Sequence, residues 1–135
     1  MLRILIVGGL HETNKETLPT VLEFAELLGK EVIVQGHVLL NACRTSFDTA
    51  VAESAHREAV ARGLNPADRI VSYVLSGANP AHSLGNVRTS QLVDWELGSP
   101  KLRVPEPIEA ADAVLVVGGF TGTHRAAQYA SGNAP

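Results

Sequence analysis

Asp112-Ala113-Val114-Leu115-Val116-Val117-Gly118-Gly119-Phe120-Thr121-Gly122-Thr123 is the stretch on which the fold turns. Ala113–Val117 is apolar without a polar alternation, as a strand covered on both faces of a parallel sheet would be, and it predicts a central strand. It runs straight into Gly118-Gly119, and Thr121 or Thr123 is placed to cap a further helix through Ala130. Strand, glycine turn and helix N-terminus in that order are the parts of a phosphate cradle. Backbone without Cβ atoms comes close to an anion, and the free N–H groups of the first helical turn face it. A tight turn at a sheet edge uses the same glycines, but three glycines and two threonines exceed what a turn requires.

Outward from this element, the chain alternates strand and helix. Ile4-Leu5-Ile6-Val7 reads as a strand ending at Gly8-Gly9, the same ending as the Ala113 strand. Thr17–Leu28 carries Leu18, Val21, Leu22, Ala25 and Leu28 at helical spacing, with Pro19 in the first turn and Gly29 as the expected C-cap. Glu31–Val34 is then expected to be a short strand. A helix capped by Thr45 or Ser46 runs to Gly63, and Asp68–Leu75 forms the next strand. Ser76–Asn86 is a long polar connection, of the kind used for functional or mobile loops and a candidate to cover a ligand. Val87–Leu97, which includes Trp95, is expected to be helical, and Ile108–Ala111 a short turn. The sum is one Rossmann-like α/β domain over residues 1–135, with a mainly parallel sheet of about four to five strands and helices on both faces. One more strand is expected after the last helix.

Composition narrows the function. The 135 residues suit one hydrophobic core, and 45% hydrophobic with 19% charged residues describes a folded chain rather than a disordered one. A net charge of −3 without a basic block argues against extended nucleic acid but leaves room for a small anionic ligand. The single cysteine, Cys43, makes no intramolecular disulfide and no cysteine-based zinc site, and five histidines lack metal-ligand spacing. Neither a metal nor a resident cofactor is therefore expected. The apolar run at the N-terminus is too short for a leader or a span, so a cytoplasmic protein without membrane attachment is expected. Apolar helix faces around so small a sheet point to a homo-oligomer.

The candidate ligand-binding residues are Gly8, Gly9, Gly118, Gly119, Thr121, Gly122 and Thr123, with Arg125 beside the cradle. If the two Gly-Gly strands are neighbours, both pairs lie at the carboxyl edge of the sheet, where open α/β folds bind ligands. Arg44 and Ser46 join them from the start of the second long helix. Asp48 is a ribose-hydroxyl acceptor or a helix cap, and Glu53 a catalytic carboxylate or a solvated one. Gly8-Gly9 has no third glycine and no acid ending the following strand, which disfavours a dinucleotide dehydrogenase.

The strand-Gly-Gly-…-Gly-Thr element resembles that of the SLOG superfamily. That superfamily includes the cytokinin-activating LOG phosphoribohydrolases and ligand-sensing domains of bacterial antiviral systems. The element is also similar to that of the nucleoside deoxyribosyltransferase-like group. In LOG enzymes the motif is Pro-Gly-Gly-x-Gly-Thr, with glutamates two and three residues after the threonine. Here Val117 replaces the proline, an extra residue separates the glycines, and Arg125 and Ala126 occupy the acidic positions. The resemblance implies a nucleotide or nucleotide-derived ligand. Arg125 suits holding that ligand's phosphate by charge-assisted hydrogen bonds, whereas cleavage of an N-glycosidic bond needs a carboxylate near the developing cation. A sensor is thus expected, with an N-glycosidase or deoxyribosyltransferase-like enzyme using Asp48 or Glu53 as the alternative, and an interaction module that only keeps the fold as a third reading.

Overall fold

A computed structural model describes residues 1–9, 18–95 and 102–118 of the chain. Strand β1 (Arg3–Gly9) leads to helix α1 (Leu18–Val34), strand β2 (Val38–Asn41) and helix α2 (Ser46–Ala61). A 3₁₀ turn over Pro66–Asp68 then enters strand β3 (Ile70–Leu75). Strands β4 (Asn86–Ser90), β5 (Leu92–Trp95) and β6 (Leu102–Pro105), helix α3 (Glu106–Ala110) and strand β7 (Ala113–Gly118) complete the described elements. Five strands make one parallel sheet in the order β4-β3-β2-β1-β7, and β5 pairs antiparallel with β6 apart from it.

Successive β–α–β crossovers with one hand place α1 and α2 on the same face of the sheet. There Ile6, Leu39 and Ile70 meet Ala25, Val32 and Ile33 of α1 and Phe47, Val51, Ala55 and Ala59 of α2 in the larger core. On the opposite face Leu5, Leu40 and Tyr73 pack with Ile108 and Ala110 of α3. The α/β class, the parallel sheet and the helices on both faces are as the sequence predicts.

Several local expectations are overturned. Gly29 does not end α1; it lies inside the helix, where a Cβ would collide with the Val51 carbonyl oxygen of α2, so it sets how closely the two helices approach. The helix continues through Glu31–Val34, the segment expected to be a strand, because Val32 and Ile33 extend its buried stripe. It closes instead at Gly36, with φ of +79°, where Gly36 N–H donates to Ile33 O and His37 N–H to Val32 O. The second strand is consequently Val38–Asn41.

The expected helix over Val87–Leu97 is replaced by β4 and β5, with residues 96 and 97 outside the described residues. β3 offers an open edge, and the β-branched Val87 and Thr89 fill it in parallel register, Ser72 opposite Val87 and Val74 opposite Thr89. The strand expected at the centre, β7, pairs with β1 alone and lies at the edge of the sheet among the described residues, with Leu115 and Val116 each more than a third exposed. An apolar run marks a strand but fixes neither where in the sheet it stands nor how far the described residues cover its faces.

Candidate functional site

All five parallel strands end at one edge of the sheet, and the direction of strand addition reverses between β1 and β7. From β1 the chain builds outward through β2, β3 and β4, then returns to add β7 on the other side. In open α/β sheets such a reversal is where a crevice lies, outside the carboxyl ends of the two strands. The glycine ends of both strands reach it: Gly8 stands opposite Val117 and Gly9 opposite Gly118. At Gly8 a Cβ would sit 2.7 Å from both the Phe47 ring and the Val117 carbonyl oxygen, so only glycine fits between strand and helix. Gly118 has φ of +59°, turning the chain as it leaves the sheet.

The start of α2 borders the same crevice. Thr45 Oγ1 lies 3.5 Å from Gly8 O, donating to it, and Phe47 is buried beneath Gly8. Thr45, not Ser46, is the N-cap: its Oγ1 accepts from Asp48 N–H at 3.2 Å, and Asp48 Oδ2 accepts from the N–H groups of Thr45 (3.2 Å) and Arg44 (2.9 Å). This reciprocal cap occupies Asp48, which is buried. Burial pushes its carboxyl above the usual range, against the pull of the Arg44 and Thr45 N–H groups, and its Oδ1 has no partner among the described residues. The carboxylate also offsets the positive end of the helix from within, which leaves the α2 N-terminus less able to hold an external anion. Arg44 and Ser46 flank Thr45 at the surface, both exposed.

Beneath this turn Asn41, fully buried, acts as a three-way brace. Its Nδ2 donates to Asp48 O at 2.9 Å, while its Oδ1 accepts from Cys43 N–H at 2.9 Å and meets His82 Nε2 at 2.8 Å. Leu84 N–H donates to His82 Nδ1 at 3.2 Å, so the proton of the neutral ring is on Nε2, facing Asn41. Burial holds the His82 imidazole below its ordinary value, with the Glu53 carboxylate opposing. Cys43 adopts φ of +57°, unusual for a residue with a side chain. Bonds on both sides hold it there: Ala81 N–H donates to its carbonyl at 3.1 Å and its Sγ donates to His82 O at 2.8 Å.

These contacts change the reading of the long polar connection. Segment 76–85 joins the carboxyl end of β3 to the start of β4 beside it, so it is the crossover of a parallel pair made without a helix. It is tied to the Asn41–Cys43 turn by His82 and Ala81 and to β3 by Ser72 Oγ, which donates to Leu84 O at 2.7 Å. The segment expected to cover a ligand therefore buttresses the turn that borders the crevice.

Gly8, Gly9, Gly118 and the Arg44–Ser46 turn thus meet at one edge. Glu53 is exposed about 10 Å further along α2 at 1.5 Å per residue, near His82. Gly119, Thr121, Gly122, Thr123 and Arg125, the helix expected through Ala130 and the strand expected after it lie outside the described residues. The brace formed by Asn41 and His82 carries no local sequence signal, because its partners are 41 residues apart. Among the described residues no group of three or more His, Cys, Asp or Glu side chains is placed to hold a metal ion, and no helix is long and apolar enough to cross a membrane.

No protein-family model and no curated protein matches the chain. Solved structures do. The X-ray structure of TM1055, a structural genomics target, matches over 96% of this chain and 68% of its own, with a TM-score of 0.69 and 16% identity. The molybdenum cofactor carrier protein from Chlamydomonas reinhardtii matches over 97% of this chain and 71% of its own, with a TM-score of 0.65 and 19% identity. At these identities the likeness establishes a shared α/β fold.

Proposed function

We propose that the chain is a SLOG-type domain that binds a small phosphate-bearing nucleotide or nucleotide-derived ligand, as a sensor or carrier rather than as a catalyst. The observation that carries this reading is the pairing of β1 with β7 at the sheet's topological reversal, which sets Gly9 opposite Gly118 at the carboxyl edge. The phosphate rests on the backbone N–H groups of Gly119–Thr123, and Arg125 and the exposed Arg44 supply positive charge. Binding without turnover is favoured by the absence of acids at positions 125 and 126 and by the engagement of Asp48 in the α2 cap. A solved neighbour of the same fold carries the molybdenum cofactor, which is compatible with a crevice that holds a small molecule for delivery.

Titration calorimetry with nucleoside monophosphates, cyclic nucleotides and ADP-ribose tests this. At least one of these probes should bind; Gly122→Asp should abolish the heat, and Arg44→Ala should weaken affinity about tenfold, as for loss of one charge-assisted phosphate contact. Failure of all three probe classes to bind refutes the reading. Release of free base from a bound monophosphate, lost in Glu53→Gln, would replace it with the N-glycosidase reading.

A further inference from the structure

The outer face of the α1–α2 pair is built for contact rather than for water alone. Leu27 is 65% exposed and Phe24 46% exposed on α1, and Val60 is 56% exposed on α2. A groove of about 570 Å³ runs beside Leu27, with Glu23, Glu26 and Lys30 on the same wall and Ser54, Arg57 and Glu58 on the other. Phe24 and Leu27, three residues apart, are neighbours on the α1 surface, and adjacent large apolar side chains flanked by charge mark interaction surfaces, whereas single exposed ones do not.

The charges identify the occupant. At about 100° per residue, Glu23 and Lys30 fall on the same side of Leu27, the groove side, about 40° and 60° away, while Phe24 falls on the other side. Along the axis, Glu23 precedes Leu27 by about 6 Å and Lys30 follows it by about 4.5 Å, at 1.5 Å per residue. A two-fold axis beside Leu27 reverses the second helix but keeps the groove side on the groove side. Glu23 of one copy then lies within about 1.5 Å, along the axis, of Lys30 of the other, and the symmetry supplies the pair twice. Leu27 meets its own copy at the centre, flanked by the two Phe24 rings. Neither Glu23 nor Lys30 takes part in an ion pair within the chain among the described residues, so both are available across such an interface.

We infer that this face binds a second copy of the chain, with the two α1 helices antiparallel about Leu27. The contact is independent of the ligand crevice, which lies at the carboxyl edge of the sheet. Sedimentation velocity of the full chain over a concentration series up to about 200 μM, in the range of weak dimers, tests the inference. Wild type should approach twice the 14.3 kDa of one chain. Leu27→Asp should stay monomeric. Glu23→Lys and Lys30→Glu should each weaken the dimer about tenfold by setting like charges together. The double variant carrying both reversals should recover wild-type association, because antiparallel pairing restores both ion pairs. These side chains are exposed, so circular dichroism should show every variant folded. A wild-type monomer throughout the range, a folded Leu27→Asp that still dimerises, or a double variant no better than the single ones overturns the inference.

Discussion

Replacing Asn41 with alanine removes a side chain that joins β2, the α2 cap and the crossover segment, and its cost follows from the contacts. Three hydrogen bonds are lost, to Asp48 O, Cys43 N–H and His82 Nε2. Each typical bond contributes about 1 kcal/mol net, and a buried partner left unsatisfied costs about 1–3 kcal/mol. Allowing water to re-pair His82, which is only part-buried, the expected loss is about 3 kcal/mol. At an unfolding entropy of about 2.1 cal/mol/K per residue over 135 residues, that lowers Tm by about 10 °C. Urea unfolding at pH 7.5 measures the change, and a double-mutant cycle with His82→Ala isolates the Asn41–His82 bond, with an expected coupling of about 1 kcal/mol. A loss below about 1 kcal/mol together with no coupling would refute the brace, since those are the values of an ordinary surface site.

Gly29→Ala should destabilise by about 2 kcal/mol in the same urea assay, because the new methyl forces α1 away from the Val51 carbonyl and outweighs the roughly 1 kcal/mol gain in helix propensity; a stabilised variant would show that the helices do not meet there. Stability should also fall on the acid side of neutrality through His82. Its folded pKa lies below the ordinary 6.5, so between those two values the unfolded chain takes up a proton that the folded chain does not. The contribution is complete above 6.5 and is lost as pH falls through the folded value. His82→Gln should flatten this limb below the ordinary histidine value of about 6.5, and an unchanged pH slope would show that His82 is not held neutral by the fold.

Much of the architecture was legible because the signals are local. Apolar β-branched runs marked β1, β3 and β7, and Thr45 with Asp48 three residues later is a capping pattern readable without coordinates. The Gly-Gly endings of two strands located the crevice as soon as those strands proved adjacent. The site's supporting contacts were less visible. Ser72, Asn41 and His82 are polar residues of unremarkable spacing, and only the path of segment 76–85 across the face brings them together.

By itself, the sequence determined the α/β class, the parallel sheet, the long α2 helix and the glycine at which β7 ends, because hydropathy period, caps and glycines act over a few residues. The tertiary structure decided how far α1 runs, which strand fills the edge of β3, and that β7 stands beside β1. Gly29 shows the reason most directly. In isolation it signals a helix end, but the carbonyl of Val51, 22 residues away in the chain, is what requires a glycine there. Local propensity is weak beside the burial of Val32 and Ile33, so packing between distant residues sets the boundary.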